Sequence, residues 1–419
     1  MKRMVPQLVP GSEKLHTMNL HLLLLAVCQA LFLTNNVTFI AISGLVGLSL
    51  APLGWMATLP VTGYVVGAAL SAMPVARLQA RVGRKKSFQL GLLVAALSAA
   101  LCSLSAALCS LAVSIGSFWL LVAATVFAGF YSANGALYRF AGPELVQPAF
   151  KERALSWVLA GGVAGAFIGP NLASATRGWL AVPFAGAYLA LVGVALLSLV
   201  VMSFIHFPAH SPPLPGAASG RPLAELARQP TFVVAIIAAA LGYGVMNLLM
   251  AATPIAMQQC KHPFDSAALV LEWHVLGMFV PSFFTGNLIK RFGALPVMAV
   301  GAVLNFVCVA VALSGVDLMQ FLVALFALGV GWNFLYTGGS TLLTQSYRPE
   351  EKNRAQGMMD TCVFWTMAVS SFSSGALITT QGWTWLNVGS LLPITLVLSA
   401  VVWLGLHKRR PAMVSGSKP

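Results

Sequence analysis

Twelve apolar runs, each long enough to cross a bilayer, leave this chain few folds to adopt. They lie at 18–43, 53–76, 87–110, 118–139, 155–176, 180–205, 231–257, 266–289, 294–313, 318–342, 357–379 and 384–406. About 20 apolar residues match the hydrocarbon thickness of a membrane when coiled as a helix. In hydrocarbon every backbone amide must be paired within the protein, so runs of this kind become helices rather than open strands. Charged residues are 8% of the chain, against about 25% in soluble domains, so water is not the solvent for most of its surface. The expected fold class is an all-α membrane protein with twelve transmembrane helices.

A net charge of +14 could suggest a nucleic-acid partner, but the distribution of charge argues otherwise. With a cytoplasmic amino terminus, all of the 24 basic residues except Arg177 and Lys261 fall in segments on the inner side. Such bias sets orientation: both termini cytoplasmic, in the inner membrane of a bacterium, with lipid as surroundings and no nucleic acid. Lys2 and Arg3 ahead of Leu20–Leu33 imitate a signal peptide, yet the apolar run continues to about Gly47 without a cleavage site, so it reads as an uncleaved first span. The stretch Pro208–Pro230, with Pro212, Pro213, Pro215 and Gly216, reads as a flexible cytoplasmic linker. It divides the chain into a bundle at 1–207, the linker at 208–230, a second bundle at 231–406 and a tail at 407–419. The six cysteines form no metal-like pairs and read as small packing residues; no metal or cofactor is expected, and a monomer is.

The two halves echo each other. Arg77–Lys86, between the second and third runs, shares a Leu-x-x-Arg-x-Gly core with Leu288–Gly293, so that Gly83 is answered by Gly293. Arg153-Ala154 is answered by Arg354-Ala355, Thr176–Trp179 by Thr380–Trp383, and Asn36 by Asn247. Echoes at nearly one offset describe two tandem copies of one module, hence two pseudo-symmetric six-helix bundles. The first of these stretches resembles the loop 2–3 signature of the major facilitator superfamily, Gly-x-Leu-Ala-Asp-Arg-x-Gly-Arg-Lys. Leu78, Arg81, Gly83, Arg84 and Lys85 match it, while Ala76 replaces the first Gly and Ala80 the Asp. The resemblance implies that this loop helps latch an outward-open state, partly through the Asp, which this chain lacks here and replaces with Lys290 in the second half. Gly83 and Gly293 should permit the tight turns. Arg81, Arg84 and Arg291 should meet acids at neighbouring helix ends, Glu144 and Asp360 being available, or serve orientation alone.

In the fifth run, Gly161, Gly165 and Gly169 stand four apart and are followed by Pro170. The spacing makes one smooth helix face for close packing, with Pro170 expected to bend the helix. It also resembles the superfamily's antiporter signature, with Ala173 and Ser174 in place of its last two glycines. Ionisable residues within spans are costly and therefore candidates. Glu272, two turns into the eighth span, is expected to be buried and to couple protons or bind substrate charge, or else to form a buried ion pair or sit at a wet rim. His274 and Asp360 are further candidates for proton coupling, Asp360 having Lys290 or Arg291 as an alternative partner.

Uncharged polar and aromatic residues within spans supply the expected substrate site: Asn35, Asn36, Tyr131, Asn134, Trp157, Asn247, Trp332, Asn333, Tyr336 and Trp365. An amide in mid-span must bond another helix or face a wet cavity. The cavity reading has Asn36, Asn247, Asn333 and Tyr336 converging near the midplane. Such a set suits a neutral, partly aromatic solute; no paired midplane arginines for a dianion are read. No protease, hydrolase or phosphate-loop signature occurs, which argues against an enzyme. The reading is a secondary transporter using alternating access, with uptake of a planar nutrient first, proton-coupled efflux of amphipathic compounds second, and a transport-dead sensor third. The stretch Trp273–Gly286 is similar to bacterial facilitators, some of which are vitamin transporters of the riboflavin type.

Overall fold

The computed structural model describes residues 19–50, 52, 56, 59–108, 114–181, 184–208 and 220–414. The first 18 residues, Gly216 with its neighbours in the linker, Cys109 and the last five residues including Lys418 lie outside them. Twelve helices long and apolar enough to span a membrane follow one another, with no strand among the described residues. They are α1 (Leu20–Leu50), α2 (Leu59–Val82), α3 (Arg84–Leu108), α4 (Ser114–Ala136, extended by the turn Tyr138–Ala141), α5 (Lys151–Ala160 and Gly162–Thr176) and α6 (Ala185–Ser203) in the first half. The second half holds α7 (Pro230–Gln259), α8 (Phe264–Phe279 and Ser282–Phe292), α9 (Ala294–Ser314), α10 (Leu318–Thr344), α11 (Lys352–Thr380) and α12 (Gly382–Val414). The last helix thus runs beyond residue 406, taking Lys408 and the basic residues after it into its final turns.

The halves repeat one packing scheme. In the first, α2 and α3 lie on α4, α3 on α6, and α1 on α5 and α6; in the second, α8 and α9 lie on α10, α9 on α12, and α7 on α11 and α12. The two most extensive helix contacts between the halves, α2 with α11 and α5 with α8, are counterparts of each other. The turns that begin α3 and α9 are also counterparts: Gly83 has φ +84° and Gly293 φ +88°, a region closed to most side chains. That is the duplicated tight turn the sequence echo implied.

The glycine face of α5 lies on α1. A Cβ on Gly161 would come within 2.2 Å of Ala26 O, one on Gly165 within 2.4 Å of Ala30 O, and one on Gly169 within 3.2 Å of Thr34 O. The stripe of three glycines thus meets every fourth residue of α1, and Thr38 Oγ1 donates to Gly169 O at 2.8 Å. The helix runs through residue 170, and α5 is interrupted at Gly161, between its two segments. The carbonyls a proline leaves unpaired can be met by local adjustment within a span. The break in α5 faces that in α8, with Gly162 against the Phe279 ring. The distal linker is fastened to the second half: Arg221 Nη2 pairs with Glu351 Oε2 at 2.7 Å, and Arg354 Nη1 donates to Arg221 O at 2.9 Å.

Candidate functional site

The halves are stitched together along one face of α11, at the end of the bundle that carries the basic loops. Lys352, Gln356 and Asp360 stand four apart, so they share a helix face, and each finds a partner from the first half. Lys352 Nζ lies 3.2 Å from Glu144 Oε1. Gln356 Oε1 accepts from Arg84 Nη2 at 2.7 Å, and the same nitrogen pairs with Glu144 at 2.7 Å. Asp360 Oδ1 accepts from Arg139 Nη2 at 2.5 Å. The expected pairing of the loop arginines with nearby acids is realised by Arg84, which also donates to Gln79 at 2.6 Å. Gln356 Nε2 donates to the hydroxyl of Tyr347 at 2.6 Å; burial pushes that hydroxyl up to about 12, so it stays protonated.

Burial deepens along this face. The Lys352 and Glu144 side chains keep 36% and 21% of their surface, whereas Arg139 and Asp360 keep 1% and 2%. An outer pair is worth little in water. A buried pair contributes little net stability, but removing one partner is costly because the other charge stays behind. Arg139 is placed by the turn after α4 and is held on every side. Its Nε donates to Ser340 Oγ at 3.1 Å, its Nη1 to Ala136 O, and its guanidinium lies 4.5 Å from the centre of the Tyr336 ring. Tyr336 stacks on Trp332 at 5.1 Å, and Tyr243 of α7 meets both rings edge-on at 5.4 Å. Trp332, Tyr336 and Ser340 are again four apart, so α10 presents aromatic and hydroxyl groups to the pair along one face. Two polar atoms in this cluster are buried and without a partner among the described residues, Asp360 Oδ2 and Trp332 Nε1.

Of the expected site residues, Trp332, Tyr336 and Asp360 come together here. The asparagines do not converge. Asn333 is buried in the seam between α10 and α8, donating to Met278 O and Ser282 Oγ and accepting from Thr285 Oγ1. Asn247 donates to Ser370 and Ser371 of α11 at 2.9 and 2.8 Å. Asn35 donates to Leu191 O of α6 at 3.3 Å, and Asn134 accepts from Ser87 of α3 at 2.8 Å. In each case the bond to another helix is the alternative realised. Asn36 is half-buried with no side-chain hydrogen bond among the described residues. Tyr131 is buried edge-on to Phe32, Trp157 packs edge-on to Phe283 between α5 and α8, and Trp365 is exposed, without a ring partner among the described residues.

The ionisable candidates also separate. Glu272 is exposed, with no ion pair among the described residues, which overturns the expectation of a buried acid: its side of α8 does not face the packed interior. His274 is fully buried but fixed by Leu325 O of α10, 2.7 Å from its Nδ1, away from Glu272. Asp360 pairs with neither Lys290 nor Arg291. Lys290 donates to Ala149 O at 3.0 Å, and Arg291 lies over the Phe292 ring. Its partner, Arg139, was read as part of the inner basic segments, and so the interior was read as lacking arginine. A signal was present: apolar Phe140 and Ala141 follow Arg139, so the charge is flanked by apolar residues on both sides and needs a buried acid.

The family model of the Major Facilitator Superfamily matches residues 22–279 and 235–419, which together take in nearly all of the chain. The chain belongs to the Major Facilitator Superfamily. It is 37% identical over 369 residues to the riboflavin transporter RfnT of Brucella anthropi, covering 88% of this chain and 91% of that protein. It is 26% identical to the MFS-type transporter YddS of Bacillus subtilis, over 83% of this chain and 82% of that one. Among solved structures it is similar to the superfamily transporter FucP in the outward conformation, with TM-score 0.72 and 16% identity over 92% and 98% of the two chains. A bacterial homologue of the iron transporter ferroportin in an outward-facing state gives TM-score 0.70 and 15% identity over 91% and 98%. This chain is thus a multi-pass membrane transporter of the superfamily, in the major facilitator fold, and not an enzyme.

Proposed function

We propose that this transporter takes up a planar, uncharged nutrient of the riboflavin kind by alternating access, its two bundles rocking about a site between them. The observation that carries the reading is the aromatic cluster of Tyr243, Trp332 and Tyr336, joined to Arg139 where the halves meet. Flat rings on one side and hydrogen-bonding groups on the other suit a planar heterocycle. The likeness to a riboflavin transporter over most of both chains supports the same choice. The glycine face of α5, which resembles the antiporter signature, is accounted for by its fit to α1 and lends efflux no support of its own. Both termini and the linker are proposed to be cytoplasmic in the bacterial inner membrane, on the charge distribution. The halves would then be fastened at their cytoplasmic end.

A riboflavin auxotroph lacking its own importer gives the test. Expression of this chain should restore growth on micromolar riboflavin and accumulation of the labelled vitamin. Well-folded protein at the membrane without either would overturn the reading, and a lowered internal level would point to efflux instead.

A further inference from the structure

The Arg139–Asp360 pair has properties that neither the rim below it nor the aromatic cluster beside it explains. It is the most deeply buried ion pair among the described residues, its partners come from opposite halves, and its charges cancel. Among the described residues one carboxylate oxygen, Oδ2, accepts nothing, and the N–H of Trp332, whose ring stacks on Tyr336, donates to nothing. Buried polar atoms are seldom left unpaired, and each such atom calls for an explanation. Here they are one acceptor on the pair and one donor on the ring stacked on Tyr336, while the guanidinium keeps one N–H beyond its bonds to Ser340, Ala136, Met359 and Asp360.

Building on the uptake reading, we propose that this pair is the polar recognition site for the transported ring, and that it selects an uncharged heterocycle carrying an N–H beside a carbonyl. A cyclic imide or amide edge fits: Asp360 Oδ2 accepts from the ring N–H, while Arg139 or Trp332 donates to the neighbouring carbonyl. The neutrality of the pair sets the charge rule. An anion drawn to Arg139 would leave Asp360 uncompensated, a cation drawn to Asp360 would strand Arg139, and either leaves a desolvated lone charge. A neutral donor–acceptor edge can engage both partners without that imbalance. Because Arg139 belongs to the first half and Asp360 to the second, a ring held this way touches both moving bodies. Polar sites built around a particular hydrogen bond discriminate strongly against analogues that lack it.

The test measures binding to the purified full-length protein in lipid nanodiscs by quenching of flavin fluorescence. Lumiflavin, which keeps the ring and lacks the ribityl chain, should bind within a few-fold of riboflavin. N3-methyl lumiflavin should bind at least about tenfold more weakly, and the anionic flavin mononucleotide should be rejected at least as strongly. The paired variant Arg139→Gln with Asp360→Asn buries no charge, so it should stay folded and lose discrimination between lumiflavin and its N3-methyl form. Riboflavin uptake with less than a twofold N3-methyl penalty, or wild-type discrimination in the folded paired variant, would overturn the inference and leave the uptake reading standing. If flavins fail to bind but other planar imides, such as alloxazines or 6-aryl uracils, bind with the same N-methyl penalty, the vitamin assignment falls and the inference holds. Binding of no ring of either kind overturns both.

Discussion

The seam between α1 and α5 and its counterpart between α7 and α11 occupy the same place in the two halves and are closed by different chemistry. In the first half, three glycines bring the backbones into contact, and the hydroxyl of Thr38 reaches across to a carbonyl. In the second, Asn247 spans the gap to Ser370 and Ser371, and Ser374 Oγ donates to Leu248 O at 2.8 Å. Small residues gain close van der Waals contact between helices in lipid, while amides and hydroxyls gain hydrogen bonds across a slightly wider gap. A duplicated fold therefore does not need a duplicated interface. Asn36 and Asn247 are sequence counterparts, yet among the described residues only the second bonds its neighbour.

The largest effect is expected from Gly165→Leu. Its side chain would begin 2.4 Å from a backbone carbonyl of α1 that cannot move independently of the helix. Fluorescence-detected size-exclusion chromatography should show loss of most monodisperse protein, and a normal profile would mean the seam is looser than described. Asn247→Leu should be milder, lowering stability by about 1–2 kcal/mol, near the upper end for interhelical hydrogen bonds in membranes. Thermal unfolding in detergent should show that as a drop of a few degrees, with Ser370→Ala adding little once the amide is gone. Gly169→Ala is expected to be smallest, within about 0.5 kcal/mol, since its new methyl would stand 3.2 Å from Thr34 O at the wider end of the stripe. Should Gly169→Ala match Gly165→Leu in severity, the graded contact along α5 would not be what holds this seam.

How much of this was legible in the sequence follows from the range of each interaction. Spans, halves and the paired turns at Gly83 and Gly293 are local or periodic, and a single sequence displays them. The α5 glycine face was legible as a packing surface because its spacing is helical; its partner, α1, was not. Charge pairing of Arg84 could be anticipated because Glu144 sits at a neighbouring helix end. The partner of Arg139 was harder to see, since Asp360 lies 221 residues away and Arg139 stands close enough to a helix end to pass for an orientation signal, although the apolar residues on both sides of it mark a buried charge. The burial expected of Glu272 was wrong for the opposite reason, its exposure leaving the wet-rim alternative. Hydropathy says that a residue lies within an apolar run and says nothing about which way it faces. Likewise each mid-span asparagine announced a polar need, while helix packing decided that Asn35, Asn134, Asn247 and Asn333 meet it against other helices.

The grip of Glu351 on Arg221 has a mechanical consequence. With Gly220 packed against the Glu351 side chain and Arg221 paired to it, the distal linker is built into the second bundle, just as buried Ile205 and the Phe207 ring seat the chain leaving α6 in the first. Any force passed along the chain from one bundle to the other would therefore load an apolar anchor at one end and an ion pair at the other before it reached a spanning helix.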